Sequence, residues 1–313
     1  MSAFEPEPSP ISAQELKDML NQHRLLLPRA ATDARDTQEL AMQRRTIADA
    51  VLTLSDGESV WPRIEEACKH GDPQQFDALV TLVRQGVIDP NADIDEEFDP
   101  LRTALLDATD QPPKGAGPST ASASGAASRL SVHERIGRLI DAGLNIEERT
   151  DYYMQTLLHV AAEKQSRPEV LRALLGHGIF VSSMNDFNQT PLHAALWEKG
   201  SAETVSILLA SDARTDVRDR LDRSALTIAA LAADEPAIIQ AVIDKVKEHG
   251  EDIDAADADG NSALHYATGT RVRSRDEAIA VLIRNGANPL AENKDGDTPR
   301  YLYSQSTGKK WDF

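Results

Sequence analysis

A short pattern, a hydroxyl residue followed two positions later by leucine in every copy but the last, returns along this chain at nearly constant spacing, and no other feature restricts its fold as much. Thr156-Leu157-Leu158-His159, Thr190-Pro191-Leu192-His193, Ser224-Ala225-Leu226-Thr227, Ser262-Ala263-Leu264-His265 and Thr298-Pro299-Arg300-Tyr301 follow one another at intervals of 34, 34, 38 and 36 residues. A further copy, Thr103-Ala104-Leu105-Leu106, stands 53 residues before the first of these. A unit of that size cannot bury an apolar face alone, so it must stack on copies of itself and share one continuous core with them.

Each copy has the same physical sense. The hydroxyl can cap a helix, a helix-starting residue follows, and leucine then faces the core. Small pairs such as Ala161-Ala162 and Ala229-Ala230 come next, where a neighbouring helix must approach closely. A second apolar run follows, as in Val170-Leu171-Arg172-Ala173-Leu174-Leu175, Val205-Ser206-Ile207-Leu208-Leu209 and Ala280-Val281-Leu282-Ile283. Gly143, Gly178, Gly250 or Gly286 then supplies the left-handed residue that ends a helix. Aromatic residues are only 4% of the chain, so burial falls to Leu, Ile, Val and Ala, which suits close-packed helices.

In these residues the chain resembles the ankyrin-repeat family, most closely in Thr190-Pro191-Leu192-His193-Ala194-Ala195 and Asn285-Gly286-Ala287-Asn288-Pro289. Five residues before each hydroxyl stands Asp151, Asn185, Asp219, Asp257 or Asn293, the turn residue the family carries at the tip of its hairpin finger. The resemblance implies an all-α repeat solenoid of helix pairs joined by hairpin fingers, with about six repeats and a C-terminal half-repeat over residues 59–313. It departs from the pattern where Leu157, Ala225 and Ala263 replace proline, and where Leu106, Thr227 and Tyr301 replace histidine, so those copies should be less well capped than that of Thr190. Met154, Asn188 and Asp222 replace the finger glycine in three successive repeats.

The ends and one insertion differ in composition. Residues 1–11 read as a disordered N-terminus and 12–58 as a helical N-terminal cap, opened by the capping box Ser12-Ala13-Gln14-Glu15. A separate partner-binding hairpin is the alternative reading of that segment. Val60 to Gly71 and Phe76 to Val83 read as a degenerate first helix pair. Residues 111–131 are low in complexity and read as a flexible insertion between the two helices of the second repeat.

With 33 basic against 51 acidic residues, the formal charge of −18 opposes phosphate backbones and anionic membrane surfaces, so neither nucleic acid nor membrane is an expected partner. No apolar run approaches the ~20 residues of a membrane span, and the N-terminal residues lack a basic, apolar signal. The one cysteine, Cys68, forms no internal disulfide and suits a reducing compartment, cytoplasm or nucleus.

Residues with chemistry are explained by the repeat. His159, His193 and His265 recur at one phase, where the family uses the ring to hold its own helix start, so they are not expected to ligate metal. Asp257-Ala258-Asp259-Gly260-Asn261 imitates a calcium loop, but aligning Gly260 with the loop's glycine puts Ala255 where the first carboxylate must stand. Ser306-Thr307-Gly308-Lys309-Lys310 lacks the upstream glycine of a phosphate-binding loop. Cys68 reads as a small apolar core residue. No catalytic constellation and no cofactor site emerges, and the chain is expected not to be an enzyme.

What the fold does not require is a set of large side chains on one face. Three residues before the repeat hydroxyl stand Tyr153, Phe187 and Leu221, with Tyr152 beside the first; Trp197 and Leu231 lie seven residues after the hydroxyl and Tyr266 four after. These seven are the candidate partner-binding residues, because an apolar stripe with charged neighbours has the composition of an interface core. Packing of the same side chains on one another across fingers is the competing reading. The expected function is a protein–protein interaction module, an intracellular scaffold, adaptor or dedicated chaperone that is monomeric on its own and grips a partner, one rich in Lys and Arg, in its groove. The alternative is a regulatory or targeting subunit docked on a folded enzyme complex.

Overall fold

A computed structural model of the chain describes residues 66–85, 93–94, 97–98, 108, 129–149, 153–164, 167–198, 201–269 and 275–313. The expected N-terminus at 1–11, the helical cap at 12–58, most of the insertion at 111–131, the copy at 103–106, Asp151 and Tyr152 lie outside them. The chain divides into two compact units, Met1–Asn145 and Ile146–Phe313.

In the first unit, residues 66–70 are helical and α1 (Pro73–Arg84) follows at once, because Gly71 turns the chain at φ +66° and Asp72 caps the new helix through Gln75 N–H at 3.0 Å. Asp93–Ile94 and Glu97–Phe98 form a short antiparallel pair, β1 and β2, with Asp93 opposite Phe98. Helix α2 (Val132–Ala142) starts in a complete capping box, Ser131 accepting from Glu134 N–H and Glu134 accepting from Ser131 N–H, and ends at Gly143 in the left-handed region. It packs on α1, burying Phe76, Leu79, Leu82, Ile136 and Leu139. Arg135 is fully buried among them, donating to the carbonyls of Cys68 and Ser131. A Cβ on Gly71 would lie 2.4 Å from the Leu130 carbonyl and 2.9 Å from Arg135 Nε, so this contact admits only glycine. Cys68 is buried as a small core residue.

The second unit is the repeat made visible. Inner helices α3 (Leu157–Glu163), α5 (Pro191–Trp197), α7 (Ala225–Ala232), α9 (Ala263–Gly269) and α11 (Pro299–Thr307) alternate with outer helices α4 (Pro168–Gly176), α6 (Ala202–Ala210), α8 (Pro236–Glu248) and α10 (Arg275–Arg284). Each inner helix packs on the next inner helix, each outer on the next outer, and each pair on itself. Leu158, Leu192, Leu226 and Leu264 are buried at one phase of the repeat, and Ala161, Ala195, Ala229 and Ala267 at another. The alanines allow a neighbouring helix to approach; the leucines supply more of the apolar area removed from water. Among the described residues no helix is long and apolar enough to cross a membrane.

The caps sort by the histidine and not by the proline: the copies with Leu157 and Ala263 in place of proline are capped as fully as that of Thr190. His159, His193 and His265 each accept the backbone N–H of the hydroxyl residue three positions earlier on Nδ1, at 3.1, 3.2 and 3.0 Å. The ring proton therefore sits on Nε2, which lies 3.0 Å from the Gln189 carbonyl in His159 and 3.2 Å from the Asp297 carbonyl in His265, clipping a repeat to the following finger. The same nitrogen of His193 is buried without a partner. Thr227 and Tyr301 accept no backbone N–H from the helix start; the Ser224 and Thr298 hydroxyls accept the N–H three positions on, and Ser224 Oγ also meets Thr227 Oγ1 at 3.1 Å.

The last repeat ends differently from its polar sequence. Arg300 replaces the phase leucine and is exposed, whereas Tyr303 replaces the phase alanine and is 2% exposed. The described residues after α11 are not helical, and Trp311 and Phe313 meet the Tyr303 ring edge-on at 5.5 and 5.3 Å. A large ring thus fills the volume that in earlier repeats an alanine leaves to a neighbouring helix.

Candidate protein-binding face

The face is built from the fingers that precede each inner helix. In every described finger the Asn or Asp at its base folds the turn: Asn185 Oδ1 accepts from Phe187 and Gln189 N–H, Asp219 Oδ1 from Leu221 and Arg223, Asp257 Oδ1 from Asp259 and Asn261, and Asn293 Oδ1 from Asp295 and Asp297, at 2.8–3.1 Å. This is the local bonding for which short polar side chains are chosen in turns. The residue three after the base takes the left-handed region, Gly260 and Gly296 without strain, but also Asn188 (φ 56°), Asp222 (φ 61°) and Met154 (φ 54°). Asparagine and aspartate tolerate that backbone; methionine does so only under constraint from its surroundings.

Successive fingers are joined backbone to backbone. Asp186 N–H donates to the Tyr153 carbonyl at 3.0 Å, Arg220 to Phe187 at 3.1 Å, Ala258 to Leu221 at 3.3 Å and Lys294 to Asp259 at 3.0 Å. The residues presented at the tips are therefore held in one register rather than on independent loops.

Tyr153 (42% exposed), Phe187 (40%) and Leu221 (57%) occupy equivalent places in three consecutive fingers. The Tyr153 and Phe187 rings lie 5.5 Å apart at 39°, and the Arg220 guanidinium stands 5.2 Å from the Phe187 centroid. Tyr153, Phe187 and Arg220 thus form a row of flat groups, each in contact with the next, which leaves Leu221 the most open of the three apolar tips. Contact between neighbours and exposure to solvent coexist here: the two tilted rings meet along the row yet Tyr153 and Phe187 stay about 40% exposed.

The other candidates are less open. Trp197 is half-buried beneath Arg223, whose guanidinium lies 4.7 Å from its ring and pairs with Asp219 at 2.6 Å. Burial pushes the Asp219 carboxyl up, but the hydrogen bonds from Arg223 and the turn outweigh it and hold the group below its ordinary value. Leu231 is half-buried at the end of α7. Tyr266 is half-buried and its hydroxyl donates to Asp257 at 2.6 Å; burial, then that carboxylate, pushes the phenol up to about 12. The Tyr266 hydroxyl is thereby committed to the finger base. Arg220 and Arg223, which stack on the two aromatic rings, were not singled out by residue type; their place in the finger, one before and two after Leu221, is the signal that would have found them.

A family model described as ankyrin repeats matches residues 125–220 and 198–293. The chain is 32% identical over 167 residues to the neurogenic locus notch homolog protein 1 of Homo sapiens and of Mus musculus, a stretch covering 53% of this chain and 6% of those proteins. It is 29% identical over 160 residues to the human neurogenic locus notch homolog protein 2, again 6% of that protein. The matched stretch is thus a small part of each of these relatives. Among solved structures, the ankyrin repeat domain of Bcl-3, described as a unique member of the IkappaB protein family, superposes with a TM-score of 0.55 at 27% identity, covering 76% of this chain and 92% of that one.

Proposed function

This chain belongs to the ankyrin-repeat family, whose repeats are protein–protein interaction modules, and on that premise we propose that it grips a partner protein through the fingertip row and the groove-facing ends of the inner helices. The observation that carries the reading is the exposed stripe of Tyr153, Phe187 and Leu221 on tips locked in register by backbone hydrogen bonds. Large apolar groups that a fold leaves in water, on a rigid base, are the usual anchors of an interface. The net charge of −18 favours a partner rich in Lys and Arg, which it would attract before contact. The role that fits is a scaffold, adaptor or dedicated chaperone in the cytoplasm or nucleus, where Cys68 stays reduced.

The test compares two quantities on the same variants. Partners captured from cell extract by the full chain are identified by mass spectrometry, and their affinity is then measured for the wild type, Phe187→Ala and Leu221→Ala. Truncating an anchor should weaken binding by about 2 kcal/mol, roughly thirtyfold, while the melting temperature moves by only a few degrees. Unchanged affinity in both variants, with stability lowered instead, would assign the stripe to internal packing.

A further inference from the structure

The tip position of the fingers does not stay apolar along the stack. Read in order, it carries Tyr153, Phe187, Leu221, Asp259 and Asp295, all exposed. The two aspartates differ from the other acids of the same fingers. Asp219 is spent on Arg223 and its own turn, and Asp257 on its turn and the Tyr266 hydroxyl, whereas the Asp259 and Asp295 carboxylates accept no hydrogen bond or ion pair from the described residues. The interfinger bonds that tie Phe187 to the next finger also tie Leu221 to Ala258 and Asp259 to Lys294, so the apolar and acidic stretches are one row in one register. Two cations accompany it: Arg220 stacks on Phe187, and Lys294 stands beside Asp295.

We infer that the row reads an extended segment of its partner in one polarity, an apolar block over Tyr153, Phe187 and Leu221 followed by Lys or Arg over Asp259 and Asp295; this rests on the fingertip reading proposed above. The argument is charge complementarity at fixed spacing. Packed helices set successive tips about 10 Å apart, and an extended chain advances about 3.3 Å per residue, so every third residue meets a new finger. A basic residue in the wrong block would be desolvated against apolar groups, and an apolar residue at the other end would bury unpaired carboxylates. Order within the segment, and not composition alone, therefore decides binding.

The experiment uses the full chain and three fluorescein-labelled 13-residue peptides with Gly and Ser elsewhere. The block peptide has Leu at positions 1, 4 and 7 and Lys at 10 and 13. The interleaved peptide has Leu at 1, 7 and 13 and Lys at 4 and 10, the same composition. The third carries Glu in place of both Lys. By fluorescence anisotropy at physiological salt, the block peptide should bind about tenfold more tightly than the interleaved one and more tightly still than the Glu peptide. The double variant Asp259→Asn, Asp295→Asn should reduce the first ratio to about twofold while retaining native circular dichroism. The double variant Phe187→Ala, Leu221→Ala should weaken all three. Equal affinity for block and interleaved peptides, or a preference that survives the Asn variant, would overturn the ordered reading and leave the fingertip face standing. Absence of binding by any peptide, or binding untouched by the Ala variant, would overturn both.

Discussion

Acidification from pH 7 to pH 5 should destabilise the repeat stack through two particular side chains. His159 and His193 are buried, and each uses Nδ1 to accept a backbone N–H from Thr156 or Thr190. A second ring proton would set donor against donor in a buried site, and burial, the main cause, lowers both pKa values to about 4. The folded pKa is thus depressed below the unfolded value of about 6.5, so the unfolded chain binds more protons across that interval. Stability is then full above pH ~6.5 and falls as the pH drops towards 4. At pH 5 an unfolded histidine is about 97% protonated and the buried one about 10%, and this difference in proton uptake moves the unfolding equilibrium by roughly thirtyfold, or about 2 kcal/mol, for each residue. Burial also lowers His265, which adds in the same direction.

The assay is urea unfolding followed by circular dichroism at both pH values, on the wild type and on the double variant His159→Gln, His193→Gln. Glutamine at the third helical position completes a capping box with the preceding threonine, so it preserves the cap while removing the titration. The wild type should lose about 4 kcal/mol more than the variant between pH 7 and pH 5, with the same denaturant slope. A loss equal in both within about 1 kcal/mol would refute the reasoning. Carboxylates do not confuse the window: Asp219, held low by Arg223, contributes stability that is lost only as the pH falls below the ordinary carboxylate range.

Gly260 and Gly296 separate backbone strain from contact between fingers. Both have φ near +80°, but a Cβ on Gly260 would stand 2.9 Å from Lys294 N and 3.1 Å from Asn293 Cα, whereas one on Gly296 meets nothing within 4 Å. Gly296→Ala should therefore cost about 1 kcal/mol and Gly260→Ala about 1–3 kcal/mol more by thermal or urea unfolding; equal losses would mean that neighbouring fingers part freely. At the C-terminus, Trp311→Ala removes an edge-on contact with Tyr303 from a half-buried site and should lower stability by about 1–3 kcal/mol, with α11 becoming more accessible to protease. An unchanged unfolding midpoint and cleavage pattern would show that the aromatic tail does not cover the last repeat.

The sequence by itself determined the repeat, its phase and its punctuation. Spacing of Thr156, Thr190, Ser224, Ser262 and Thr298 placed the helix starts, Asn185, Asp219, Asp257 and Asn293 the finger bases, and Gly143, Gly178, Gly250 and Gly286 the outer ends, because a cap, a turn and a left-handed residue each act within a few positions along the chain. In the fourth repeat the corresponding end falls to Asp212 at φ 64°, where glycine's absence hides the helix end from the sequence pattern. Stripe positions could also be read, since equivalent places in a stacked repeat lie side by side.

What those side chains do there was a matter for tertiary structure. Only packing decided that Tyr153, Phe187 and Leu221 stay open while Arg223 covers Trp197 and Asp257 engages Tyr266. Packing alone also buried Arg135 against the Cys68 carbonyl and turned Trp311 and Phe313 onto Tyr303. These outcomes depend on partners 8 to 67 residues away, whose approach is set by helix packing, and a local pattern carries no record of that distance.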